Sequence, residues 1–146
     1  MATLVEIQDA LADQVYDELC GTANAPIANL QADGLMVPSP SPPAIDIYQD
    51  ETPREALGFG RGNLIYMLVV RARVTTADNE EGQRLLISMM DAAAETSVLQ
   101  AITADRTLGG VVRRTEVTNQ SAMGTWPATG LDGDLLGCTW TVRVIP

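Results

Sequence analysis

The chain has 146 residues, enough for one domain, and it carries nineteen acidic residues against nine basic ones for a formal net charge of −10. All nine basic residues are arginine, and neither histidine nor lysine occurs. This excludes a Ser–His–Asp triad, a histidine zinc site, a Walker A lysine and a Schiff-base amine within the chain. It also argues against duplex DNA binding by phosphate neutralisation, which needs clustered basic residues.

The hydrophobic residues are mostly Ala, Val, Leu and Ile, so the expected core is aliphatic. Cys20 and Cys138 are the only cysteines and read as two reduced thiols. The first residues show no basic, then apolar, leader pattern, and the longest apolar run, Leu64 to Val70, is far shorter than a membrane helix. The expectation is a soluble protein made in a cytoplasm.

Taken in chain order, the first element is an amphipathic helix from Leu4 to Leu19. Thr3 and Glu6 have the spacing of a capping box. Leu4, Ile7, Leu11, Val15 and Leu19 form one apolar stripe, with Glu6, Asp9, Asp13 and Asp17 opposite. Gly21 is placed to end the helix in a left-handed conformation. Residues 22–43, with Pro26, Pro38, Pro40, Pro42 and Pro43, read as an extended surface connection, because proline removes backbone donors and extends its predecessor. A short strand over 44–48 follows. Residues 49–62, including Asp50, Glu51, Arg54, Phe59 and Arg61 among several glycines, read as a flexible loop. The loop resembles a phosphate-binding glycine loop only superficially, because it opens a strand and not a helix.

Residues 63–75 make the strongest strand. It is apolar on both faces in its first half, and Arg71 and Arg73 give its second half one wet face. Asp78 and Glu81 form a second capping-box pattern ahead of a helix over 79–94, with Leu85, Leu86, Met89 and Ala93 as its buried stripe. A short helix over 98–104 starts behind Ser97. Gly109 and Gly110 turn the chain into a more polar strand over 111–120. A connection over 122–134 leads to the last strand, 137–145, with Cys138, Trp140, Val142 and Val144 on one face. This order predicts an α+β fold: a mostly antiparallel four-stranded sheet flanked by the N-terminal helix and the central amphipathic helix.

No carboxylate pair has a convincing acid–base spacing. Asp132 and Asp134 fit turn chemistry, and Asp78, Glu80 and Glu81 fit a helix N-terminus. The expectation is no enzyme, no cofactor and no metal. Arg113 and Arg114 are adjacent on a strand and point to opposite faces. With Arg71 and Arg73 on a paired strand they would form a small basic spot. That spot reads either as cross-strand pairing with residues such as Glu116 or as a subunit contact.

The order of elements, together with Asp105, Thr107, Leu108, Gly109 and Gly110 between a helix and a strand, resembles the tail-terminator (tail-completion) proteins of long-tailed bacteriophages, those of actinobacterial hosts above all. The motif is short; the order of elements covers most of the chain. The resemblance implies a structural virion protein, assembled in the host cytoplasm as a hexameric ring at the head-proximal end of the tail tube. Its partners would be further copies of itself, the tube protein and a head-closure or neck protein, with DNA passing through unbound and no membrane involved. Under it, Glu6, Asp9, Asp13 and Asp17 become candidates for an acidic lumen that repels phosphates. Asp50, Glu51, Arg54, Phe59, Arg61, Arg71, Arg73, Arg113 and Arg114 become candidates for subunit or tube contacts. The segment 22–43 departs from the family pattern and would be an arm to a neighbour. The alternatives are another phage neck protein, an acidic DNA mimic that inhibits a DNA-binding enzyme, and a small metal-dependent enzyme.

Overall fold

The computed structural model describes residues 2–21, 25–38, 40, 42–56, 64–76, 80–126 and 134–146. Among these residues three helices, α1 (Leu4–Leu19), α2 (Glu80–Met90) and α3 (Val98–Thr103), accompany six strands. The strands are β1 (Gln31–Asp33), β2 (Ala44–Ala56), β3 (Leu64–Thr76), β4 (Arg114–Gln120), β5 (Gly124–Trp126) and β6 (Leu135–Ile145). They form one mixed sheet in the order β1-β2-β3-β6-β4, with β5 also on β6. β1 is parallel to β2 and every other pairing is antiparallel. The fold is therefore α+β, as expected, but the sheet has six strands and not four.

α1 forms where its sequence calls for it. Thr3 accepts from the Glu6 amide, and the Glu6 carboxylate accepts from the Thr3 amide at 2.7 Å, closing the capping box. Ile7, Leu11, Val15 and Leu19 are buried and the four acids of the opposite stripe are exposed. Gly21 does not take a left-handed conformation. Instead the Cys20 and Gly21 amides both donate to the Tyr16 carbonyl, and a Cβ at Gly21 would sit 3.0 Å from the Asp17 Cα.

All three helices lie on one side of the sheet. There the alternating residues Ile45 and Ile47, Leu68, Val70, Ala72 and Val74, and Cys138, Trp140, Val142 and Val144 meet the apolar stripes of α1, α2 and α3. Two side-chain amides tie α1 in place. Gln8 donates to the Gly34 carbonyl at 2.8 Å, and Gln14 donates to the Ala101 and Ile102 carbonyls at 3.0 and 2.9 Å. Each satisfies acceptors that the packing removes from water.

Five further expectations are corrected. The 22–43 segment is no free arm: it contains β1, and Ile27 and Leu30 are buried in the core. The strand expected over 44–48 runs on to Ala56, because β3 offers it partners from Arg73 down to Leu64 across one irregularity. Residues 49–56 are thus strand, and 57–62 of the expected loop lie outside the described residues. α2 ends at Met90, so Ala93 falls in the following turn and is exposed; Asp78 lies outside the described residues. β4 starts at Arg114, residues 111–113 belonging to the turn before it. The connection over 122–134 contains β5, whose Trp126 ring covers Gly137 so closely that a Cβ there would lie 3.0 Å from it.

Candidate interaction surfaces

The motif that carries the resemblance is a built unit. Asp105 Oδ1 accepts from the Thr107 amide at 2.9 Å and from its hydroxyl at 2.6 Å, while Oδ2 accepts from the Gly109 amide at 2.9 Å. These bonds, the Thr107 hydroxyl first and then the Thr107 and Gly109 amides, hold the Asp105 carboxyl below its ordinary range. Three successive residues, Leu108 (φ 51°), Gly109 (φ 70°) and Gly110 (φ 90°), are left-handed. Glycine bears this freely and leucine does not. Leu108 stays there because its side chain is only 4% exposed in the core, and the Val112 amide reaches back to the Thr107 carbonyl at 3.1 Å. Asp, Thr, Leu, Gly and Gly each have a separate task in this turn. The sequence pointed to the glycines; the left-handed leucine carried no signal of its own.

On the sheet face away from the helices, Asp46 of β2 pairs with two arginines of β3. Arg71 donates to its carboxylate through Nε at 3.0 Å and Nη2 at 2.5 Å, and Arg73 Nη2 lies 3.3 Å away. Val37 clasps the group from the preceding segment. Its amide donates to Asp46 at 3.0 Å and its carbonyl accepts from Arg73 at 2.6 Å. Arg71 also lies over the Tyr48 ring, 5.0 Å from its centroid. Burial raises the Tyr48 pKa and lowers that of Arg73. Arg71 and Arg73 are 9% and 1% exposed, so the expected wet face is absent at these positions and both guanidiniums are engaged within the chain. They are also not beside Arg113 and Arg114, because β6 separates β3 from β4. The sequence signal for the cluster was present: one acid and two arginines at alternate positions of apolar strands.

The remaining cations are distributed unevenly. Arg84 is bound to Glu80 on the surface of α2. Glu116 takes Arg114 at 2.9 Å on its own strand and Arg143 at 3.7 Å across to β6, so the cross-strand partner of Glu116 is Arg143 and not an arginine of the expected spot. Arg106 and Arg113 are exposed, and their guanidiniums have no ion-pair partner among the described residues. Together with Arg114 they gather where the turn enters β4, at one end of the sheet.

Acids and apolar groups mark other places. Asp13, Asp17, Glu18 and Asp105 surround a hollow of about 350 Å³ between α1 and the turn. At the other end of the sheet, Val5, Leu35 and Met36 are 57%, 60% and 60% exposed. With Tyr48 and Gln49 they line a hollow of about 410 Å³ beside β2. Asp50 and Glu51 follow directly on that strand. Arg54 lies in β2 opposite Tyr66, and Phe59 and Arg61 lie outside the described residues. Among the described residues no three His, Cys, Asp or Glu side chains are grouped to hold a metal ion, and no helix is long and apolar enough to cross a membrane. No protein-family model and no curated protein matches the chain.

Proposed function

We propose that the chain is a non-enzymatic structural subunit of a long-tailed phage, of the tail-terminator kind. It forms a homo-hexameric ring on the head-proximal end of the tail tube, ends tube growth and gives a neck protein its docking surface. The observation that carries this reading is the turn from Asp105 to Gly110. Its residues are those on which the resemblance rests, and each has its own structural task there. An α+β fold with its helices on the sheet is in keeping with it.

The exposed acids Glu6, Asp9, Asp13 and Asp17 support the electrostatic side of the proposal. A lumen lined by such a face would repel DNA phosphates and let the genome slide through without sticking. The mature location is the virion neck, reached by assembly in the host cytoplasm. The test is removal of the gene from a phage that carries it. The expected result is overlong or headless tails, restored by supplying the chain in trans. Tails of normal length attached to heads would overturn the proposal.

A further inference from the structure

The sheet has two unpaired edges at opposite ends. β1 covers β2 only from Ala44 to Asp46 and the Gln8 side chain takes the Ile47 carbonyl at 3.3 Å, so from Tyr48 onward the outer side of β2 has no strand partner among the described residues. At the far end, β4 pairs with β6 on one side and with no other described strand. Thr118, Asn119 and Gln120 of β4 are exposed. Open edges of this kind invite pairing with another chain unless something blunts them.

The two edges differ in chemistry. The β2 edge is bordered by exposed Val5, Leu35 and Met36 and carries the acids Asp50 and Glu51. The β4 edge is entered through exposed Arg113 and Arg114, the second paired with Glu116 of its own strand, with exposed Arg106 nearby. A chain of net charge −10 repels its own copies in most orientations. The orientation that relieves this brings the arginine corner of one copy to the acidic, apolar edge of another.

We infer that the β4 edge of one copy docks on the β2 edge of the next, continuing the sheet between subunits. The strand edges exchange backbone hydrogen bonds. The aliphatic stems of Arg113 and Arg114 cover Leu35 and Met36, and their guanidiniums meet the carboxylates beside them. Because the two edges are different surfaces, the contact is head-to-tail and propagates until it closes. This assigns surfaces to the ring proposed above and in that respect rests on it. It also removes the buried Arg71 and Arg73 from the contact.

Sedimentation velocity on the full chain tests the inference with two variants, one for each edge. Arg113→Glu with Arg114→Glu disables the β4 side, and Leu35→Asp with Met36→Asp disables the β2 side. Arg113, Arg114, Leu35 and Met36 are all exposed, so circular dichroism and thermal melting should match the wild type. The wild type is expected to associate beyond a dimer, more weakly at high salt. Each variant alone should lose about tenfold or more in self-affinity. Mixed, the two variants should form a one-to-one dimer and nothing larger, because each retains one working edge. Variants that associate like the wild type, or a mixture that stays monomeric, would overturn the inference. A ring indifferent to both variants would refute these edges and leave the proposed function standing. Association through these edges by a chain that never caps tubes would do the reverse. A wild type that stays monomeric up to millimolar concentration, with or without tail tubes, would refute both.

Discussion

Replacing Asp46 by alanine should be among the most damaging single changes in the chain. The carboxylate is 1% exposed and takes four contacts: Arg71 twice, Arg73 and the Val37 amide. Without it, two buried guanidiniums face each other with no counter-charge, and Val37 loses the acceptor that fastens its segment over them. Removing one partner of a buried ion pair costs about 3–5 kcal/mol, against a total stability of about 5–15 kcal/mol for a domain. For a chain of this size the melting temperature should fall by roughly 6–20 °C. Urea unfolding followed by the fluorescence of buried Trp140 would measure the change directly. Asn at the same position keeps the shape and one acceptor but loses the charge, so it should recover only part of the loss. Substituting all three, Asp46→Leu with Arg71→Met and Arg73→Met, removes the charges together and should recover more than Asn does. An alanine variant within about 1 kcal/mol of wild type would refute the reasoning, since a buried guanidinium pair of that kind is not tolerated at so small a cost.

Other outcomes follow from the turn and the sheet. Leu108→Ala should cost about 2–5 kcal/mol through lost core contacts. Leu108→Gly should be no worse than alanine, reversing the usual order, because glycine relieves the left-handed strain worth roughly 1 kcal/mol; urea titration of both variants decides it. Asp105 has a depressed folded pKa, so its stabilisation is present above the unfolded carboxylate pKa and is lost as pH falls through the lower, folded value. Asp105→Asn should therefore flatten the acid limb of the stability–pH curve, and an unchanged limb in thermal melts would contradict the turn geometry. Gly137→Ala would set a methyl 2.5 Å from the Ala72 carbonyl oxygen and 3.0 Å from the Trp126 ring. Calorimetry should register a loss of about 1–3 kcal/mol, since the backbone side of that clash cannot move away cheaply.

The parts of this fold legible in the sequence are those where one local pattern is repeated long enough to outweigh its surroundings. α1 has sixteen residues, a capping box and one apolar stripe, and it forms with the bounds its pattern predicts. β6 shows strict alternation from Cys138 to Val144, and its inward residues are fully buried. What escaped was decided by partners far away in the chain. β1 is three residues long and exists because Gln31–Asp33 meets Ala44–Asp46. The stretch from Gln49 to Ala56, with a proline and four charged residues, has loop composition, yet β3 supplies it with a ladder. Arg71 and Arg73 read as a wet face because their neutralising acid lies 25 and 27 positions earlier. For the candidate site, the turn and the exposed acids could be read in advance. The arginines could not be sorted into buried and exposed until the strand order was known.

Electron microscopy of tail tubes assembled with and without the purified chain shows whether the chain caps tubes. A tail terminator should give tubes of limited length with a ring on one end when it is present, and tubes that keep growing when it is absent. Tubes of the same length in both cases, with bare ends, would contradict that role.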